Sequence, residues 1–435
     1  MADPQRRLVF RLLEQVRTQK SYSNLALNHA LNQPGFSGNA GFVSALFYGV
    51  LERQITLDAV LAPYLKGKKI DPPVRTILRM GLYQILFLDS VPDSAAVNES
   101  VQLCVPAKVF SAKGLVNGVL RRFLREGKPF RPEQMPPWQA YSCPEWLYQR
   151  WCADYGKDTA LELMKAGLGR PPVTVRVNTQ KISTQDFAQA LKQQGVEAVP
   201  CRWGKDGLAL SRTGGVEQLP GYEEGWFYVQ DSSSQLCASL MEAKPGQRIY
   251  DVCAAPGGKS CALALEMKDQ GDILSFDLYP QKVELIRKNA ARLGLTSVYP
   301  AQWDASVWEQ SRPLADGVLC DLPCSGYGVL RRKPEIRQHP PEDGAALAKL
   351  QQELLDVNCR YVKPGGTLIY STCTLSKQEN QDNALWFLQA HPEFVPLSLP
   401  EELGELGLLE GHMLTVFPHK GDGDGFFMAR MQKKA

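Results

Sequence analysis

In Ile249-Tyr-Asp-Val-Cys-Ala-Ala-Pro-Gly-Gly-Lys-Ser260, a short run of strand-forming residues breaks into a loop of the smallest side chains, and a helix is expected to open after Lys259. Residues this small let backbone N–H groups come close to a ligand at the helix N-terminus. The loop is neither the Gly-x-Gly-x-x-Gly of dinucleotide enzymes nor a Walker loop, which needs Gly-x-x-x-x-Gly-Lys-Ser/Thr. Taken alone it is a tight turn.

Its neighbours change that reading. Ile273-Leu-Ser-Phe-Asp277, Val318-Leu-Cys-Asp321 and Thr367-Leu-Ile-Tyr-Ser-Thr-Cys373 are strands by composition and length, with helical periodicity between them. Such alternation predicts a mostly parallel sheet covered on both faces, whose ligands bind at the carboxyl ends of the strands. Asp277, nineteen residues beyond Gly258, is placed to accept both hydroxyls of a ribose, and Asp304 follows the next strand-like segment, where it could receive an adenine amino group. Either acid alone is more often a cap. A loop and two acids at successive strand ends indicate an adenosine-bearing cofactor.

Two further runs follow strands: Asp321-Leu-Pro-Cys-Ser-Gly326 and Ser371-Thr-Cys-Thr374. A lone cysteine is usually a small core hydrophobe. Two at the ends of adjacent strands, with Asp321 three residues before Cys324, suit conjugate addition of a thiolate to a pyrimidine ring. Cys320 should point away from the Cys324 loop, which weakens a redox pairing of those two. Spacing does not choose between Cys324 and Cys373 as nucleophile.

The rest of the chain supplies context. Its 435 residues suggest about three domains, and 44% hydrophobic with 22% charged is ordinary globular composition, which excludes disordered and collagen-like chains. From Arg6 to Glu126 the periodicity is helical: Leu8, Val9, Leu12, Leu13 and Val16 share one face, as do Leu115, Val116, Val119, Leu120, Phe123 and Leu124. The proline-rich stretch Gly127 to Pro137 reads as a linker. Beyond it, Pro144 to Leu168 reads as helix, Val173 to Val177 as strand, Ser183 to Gln194 as helix and Val196 to Cys201 as strand, a small α+β module. The boundaries expected are therefore 1–137, 138–224 and 225–435. Residues 1–135 carry 18 basic and 10 acidic side chains, a balance of +8 in a chain whose total is +3, so a polyanion would be met at least partly there. No apolar run approaches the length of a membrane helix, the N-terminus lacks the features of a secretory signal, and the odd count of 11 cysteines fits reduced thiols, so a cytosolic protein is expected. Without a Cys-x-x-Cys pair, and with five histidines in no ligand spacing, no metal is expected.

These motifs carry a resemblance. Ala-Ala-Pro-Gly-Gly-Lys at 254–259, Asp-Leu-Pro-Cys-Ser-Gly at 321–326 and Ser-Thr-Cys-Thr at 371–374 make residues 225–435 similar to the RNA 5-methylcytosine methyltransferases, which use S-adenosylmethionine on a Rossmann-like class I fold. Leu115-Val-Asn-Gly-Val-Leu-Arg-Arg122 makes the helical region resemble a NusB-like RNA-binding domain. Together they resemble the 16S ribosomal RNA branch of the family, which implies cytosine 967 of that RNA as target; the partner expected is 16S ribosomal RNA, free or partly assembled, met by a monomer. The family form Asp-Ala-Pro-Cys reads Asp-Leu-Pro-Cys here, and Leu322 should alternate away from the crevice. The resemblance implies that Cys373 attacks carbon 6, that Asp321 bonds the base edge and favours the neutral form at nitrogen 3, and that Cys324 assists loss of the carbon 5 proton and enzyme release. It implies cofactor contacts from Cys253, Ala254, Ala255, Pro256, Gly257, Gly258, Lys259, Asp277, Asp304 and Asp321. RNA contacts are expected from Arg121 and Arg122, and from the basic run Arg331, Arg332 and Lys333 with Arg337 beyond it, as a phosphate clamp beside a base-modifying pocket. A target on transfer RNA and a non-catalytic RNA-binding factor are the other readings. The intact cysteines and cofactor loop weigh against the latter. Gly421-Asp-Gly-Asp-Gly425 lacks the further acids of a calcium loop and is read as a turn before a closing strand.

Overall fold

The computed structural model describes residues 2–19, 23–33, 36–67, 69–341 and 343–435. The chain divides into two compact units, Met1–Gly169 with Leu330–His339, and Arg170–Val329 with Pro340–Ala435.

The first unit is helical. Pro4–Gln19 turns Val9, Leu12, Leu13 and Val16 inward, and Lys113–Arg125 buries Val116, Val119, Leu120 and Phe123. Arg122 and Arg125 in the last turn of the second helix complement its negative end. Pro72–Phe87 opens on proline, which fits the first helical turn because its missing N–H has no partner there. At Gly81, midway along that helix, a Cβ would fall 2.7 Å from Leu120 Cδ1, so the glycine sets how closely the two helices pack. The helices Glu145–Tyr155 and Lys157–Ala166 belong to this unit, and so does the turn Pro334–Gln338 from far along the chain. Among the described residues no helix is long and apolar enough to cross a membrane.

The second unit holds two sheets. The smaller contains β1 (Val173–Val177), β2 (Glu197–Pro200), β3 (Gly207–Ser211) and β4 (Phe227–Val229), antiparallel in the order β2-β3-β1-β4. The helix Thr184–Gln193 packs Phe187 and Leu191 against it. The larger contains β5 (Arg248–Asp251), β6 (Asp272–Asp277), β7 (Val298–Gln302), β8 (Ala315–Asp321), β9 (Val362–Thr372), β10 (Phe394–Pro396), β11 (Gly407–Glu410), β12 (Met413–Val416) and β13 (Phe426–Lys433). Its order is β11-β12-β13-β9-β8-β5-β6-β7, with β10 on β13. The block β9-β8-β5-β6-β7 is parallel, and β13 joins it antiparallel. The chain runs outward from β5 through β6 and β7, then returns to β8 on β5's other side. The switch point between β5 and β8 opens a crevice at the carboxyl ends of these strands. Apolar layers on both faces explain the nearly continuous hydrophobic strands.

Candidate active site

The register of β8 against β9 places Asp321 directly across from Ser371, so the loops that follow both strands leave the sheet side by side. Ser371 Oγ donates to Asp321 Oδ1 at 2.9 Å, and Lys259 Nζ donates to Asp321 Oδ2 at 2.6 Å. Lys259 also lies 3.5 Å from Ser234 Oγ and 5.0 Å from the centre of the Phe426 ring. Burial works against this ammonium, but Asp321 outweighs it and holds the Lys259 pKa above its ordinary value.

Beyond that pair the two thiols meet. Cys324 Sγ and Cys373 Sγ are 3.2 Å apart and both half-buried. The hydrogen bond with Cys373, then burial, then the negative groups around it push the Cys324 thiol well above its ordinary value. At this separation either sulfur can donate to the other. Cys320 and Leu322 turn into the core beneath, away from the crevice.

At β5, Asp251 is buried, and its Oδ2 accepts from Ser260 Oγ at 2.7 Å. Burial raises its carboxyl to about 7. The loop from Val252 reaches the helix Gly258–Glu266 through Gly257, whose φ of +100° favours glycine; a Cβ there would lie 3.1 Å from Ile286 Cγ2. Gln230, which sequence reasoning passed over, lies beside this helix start: its Nε2 is 3.5 Å from where a Cβ on Gly258 would be. Both Gln230 amide atoms and Asp251 Oδ1 are buried without a hydrogen-bond partner. A donor, an acceptor and a carboxylate oxygen around a glycine loop fit a small zwitterionic group, as the amino-acid end of S-adenosylmethionine is.

The two remaining acids differ. Asp277, at the end of β6, is buried, accepting from Tyr279 N at 3.2 Å with Lys282 Nζ at 3.7 Å. Asp304 is exposed and accepts from Ser306 N at 3.0 Å and Ser306 Oγ at 2.7 Å, bonds that lower its pKa. The glycine-rich loop before β13 belongs to the site's wall: Asp424 N donates to Asp231, Ser233 Oγ donates to Asp424 O at 2.9 Å, and Phe426 lies on Lys259.

One expectation fails. Arg337 cannot clamp a phosphate, because its guanidinium is buried and donates to the carbonyls of Ser142 at 2.9 Å, Leu330 at 2.9 Å and Gly167 at 2.7 Å. Arg331, Arg332 and Lys333 are half-buried in the same segment of the helical unit. Arg121 is exposed, and Arg122 pairs with Glu126 at 2.7 Å over the Tyr64 ring. Cys359, His391 and Glu393 bring candidate ligand atoms within 4.8 Å of one another, but the Cys359 thiol, pushed up to about 12 by burial, donates to Asp356 O.

The model of the 16S rRNA methyltransferase RsmB/F family matches residues 238–432, that of the NusB family residues 3–125, and that of an RsmF/B-like ferredoxin-like domain residues 143–217. The chain is similar to the probable ribosomal RNA small subunit methyltransferase B of Bacillus subtilis, at 36% identity over 99% of this chain and 98% of that one. Its counterpart in Synechocystis is 38% identical over 98% and 99%. Among solved structures, PH0851 superposes with a TM-score of 0.83 at 26% identity over 100% of both chains. A methyltransferase homolog from Pyrococcus horikoshii gives 0.61 at 28% identity over 70% of this chain and all of that one.

Proposed function

Because the chain belongs to the 16S rRNA methyltransferase RsmB/F family, with a NusB head, a ferredoxin-like middle domain and a Rossmann-like catalytic domain, we propose that it methylates carbon 5 of a cytosine in 16S ribosomal RNA through a covalent bond from Cys373 to carbon 6. The observation that carries this reading is the 3.2 Å approach of Cys324 and Cys373 beside an Asp321 held at both oxygens. Cytosine 967, the target suggested by the family resemblance, is the position proposed.

S-adenosylmethionine, the cofactor, supplies an electrophilic methyl group when bound. The residues from Cys253 to Lys259, with Asp277, Asp304 and Gln230, would hold it. Lys259 and Ser371 fix the Asp321 carboxylate, an acceptor suited to the 4-amino group of cytosine and repelled by the oxygen that uracil carries there. Cys373 forms its bond to carbon 6, and its negative charge passes into the ring. Carbon 5, now carrying that charge, takes up the methyl group without a contribution from Cys324, which, once its own proton has passed to solvent, removes the carbon 5 proton as a thiolate. As that C–H pair forms the new ring double bond, the S–C6 pair returns to Cys373. Arg121, Arg122, Arg331, Arg332 and Lys333 are proposed phosphate contacts, and the protein is proposed to act as a monomer in the cytoplasm.

Bisulfite mapping of 5-methylcytosine after incubation of total RNA with the protein and S-adenosylmethionine tests the reading. A single new site in 16S ribosomal RNA, absent with Cys373→Ala, is expected. Methylation confined to transfer RNA would overturn the substrate, and unimpaired activity of Cys373→Ala would overturn the mechanism.

A further inference from the structure

The loops that carry the two cysteines are tied to one buried carboxylate. Glu379, on the turn Lys377–Glu379, is fully buried. Its Oε2 accepts from Ser325 N at 2.9 Å and from Gln351 Nε2 at 3.1 Å, and its Oε1 accepts from Ser325 Oγ at 2.5 Å. The single Ser325 hydroxyl proton goes to Glu379. Thr374 Oγ, 2.7 Å away, therefore donates to Ser325 and accepts from Tyr327 N at 3.3 Å. Gln351 Nε2 also donates to Pro323 O at 2.9 Å, and Asn383 Nδ2 at 2.9 Å from Gln351 Oε1 fixes which way that amide faces. Pro323, Ser325 and Tyr327 are thus pinned on both sides of Cys324, and Thr374 is pinned beside Cys373.

Keeping a carboxylate out of water requires several donors, and an apolar side chain would fill the same space without that requirement. Its geometry answers a different need, because two sulfurs must hold one separation while different bonds form and break.

We propose that Glu379 is a positioning residue that holds Cys324 at its working distance from Cys373, and that its loss is felt when the covalent enzyme–RNA intermediate is resolved, not when RNA binds. This rests on the covalent mechanism proposed above. In the methylated intermediate the carbon 5 proton leaves to Cys324, the C5–H pair forms the C5–C6 double bond, and the S–C6 pair returns to Cys373. A displaced Cys324 leaves attack and methyl transfer possible and leaves the protein joined to its product.

The full-length protein is incubated with 16S ribosomal RNA and S-adenosylmethionine and run on a denaturing gel, with turnover, RNA affinity and melting temperature measured in parallel. Glu379→Ala is expected to accumulate a slow-migrating adduct, as Cys324→Ala does, and to lose turnover on the order of 10²-fold with RNA affinity unchanged. Glu379→Gln is expected to restore most of the turnover: its oxygen can accept from Ser325 N and Gln351, while its NH₂ donates to Ser325 Oγ, whose proton turns to Thr374. No adduct from Glu379→Ala, or turnover and RNA affinity falling together with the melting temperature, overturns the proposal. Should Glu379→Ala not fold, Ser325→Ala, which keeps the N–H bond and loses the hydroxyl, decides in its place, and a folded Ser325→Ala without adduct overturns it. Absence of an adduct from Cys324→Ala itself defeats the covalent mechanism instead.

Discussion

Replacing Asp277 with alanine is expected to separate cofactor binding from RNA binding. The carboxylate stands at the end of β6, 6% exposed, with one bond from Tyr279 N at 3.2 Å and Lys282 Nζ at 3.7 Å. A ribose diol would add two charge-assisted hydrogen bonds, each about 1.5–3 kcal/mol, so their gross loss is about 3–6 kcal/mol. The variant also relieves a buried carboxylate of its dehydration, which favours the lower end. About 3 kcal/mol corresponds to roughly 10²-fold in dissociation constant. Asp277→Asn keeps an acceptor for Tyr279 and one for the ribose, and should lose about tenfold. Calorimetric titration with S-adenosylmethionine reads both numbers, and filter binding checks that RNA affinity is unchanged. An Asp277→Ala protein of normal melting temperature whose cofactor affinity lies within threefold of the unaltered protein would refute the assignment of Asp277 to the ribose.

Other outcomes follow from the same geometry. Cys373→Ala should form no adduct with RNA and Cys324→Ala should trap one; the reverse pattern on a denaturing gel would make Cys324 the nucleophile. Asp251 is raised to about 7 from an ordinary 3.8, so the folded state keeps a proton that the unfolded chain releases between those values, and stability falls as pH rises across that window. The melting temperature of Asp251→Asn should therefore exceed that of the unaltered protein increasingly from pH 4 to pH 7 and by a constant margin above; a difference independent of pH would contradict the buried, protonated carboxyl. Arg337→Met should destabilise the helical unit by about 3 kcal/mol, because three carbonyls lose a charged donor at once, and a denaturant melt with an unmoved midpoint would defeat that account. Arg121→Ala should lower the salt slope of RNA binding by about one, and an unchanged slope would remove Arg121 from the phosphate contacts.

The catalytic fold was legible because its signals are local. Strand composition, helical periodicity and small loop residues sit within single segments, and β5, β6, β8 and β9 fall where those signals lie. The short antiparallel strands β10, β11 and β12 have no such signal, since their three or four residues gain meaning only against β13. In the site, the motifs announced Asp321, Cys324 and Cys373, but the sulfur contact depends on the register of β8 against β9, which no spacing reports. Glu379 and Gln230 are polar residues among polar neighbours, and their burial is a tertiary fact. Arg337 misled for the same reason: a basic run looks solvated until the carbonyls that receive it are known.

The ten residues Leu330–His339 lie between the Cys324 loop and the helix Asp343–Asn358, yet they complete the helical unit through Arg337 and through Glu335, which accepts from Ser23 Oγ at 2.6 Å. The polypeptide therefore crosses between units three times. During synthesis the leading 169 residues of the first unit emerge well before the segment that completes it, which follows only after β5 to β8 have been made. Nor are the halves interchangeable modules in the manner of beads on a string. A gene cut after Gly169 would yield one fragment lacking its Arg337 fastening and another carrying an orphan decapeptide with a hydrophobic and charged face meant for burial. Descendants of such a chain can vary either unit only while keeping this internal loan intact, which ties the history of the helical head to that of the catalytic sheet.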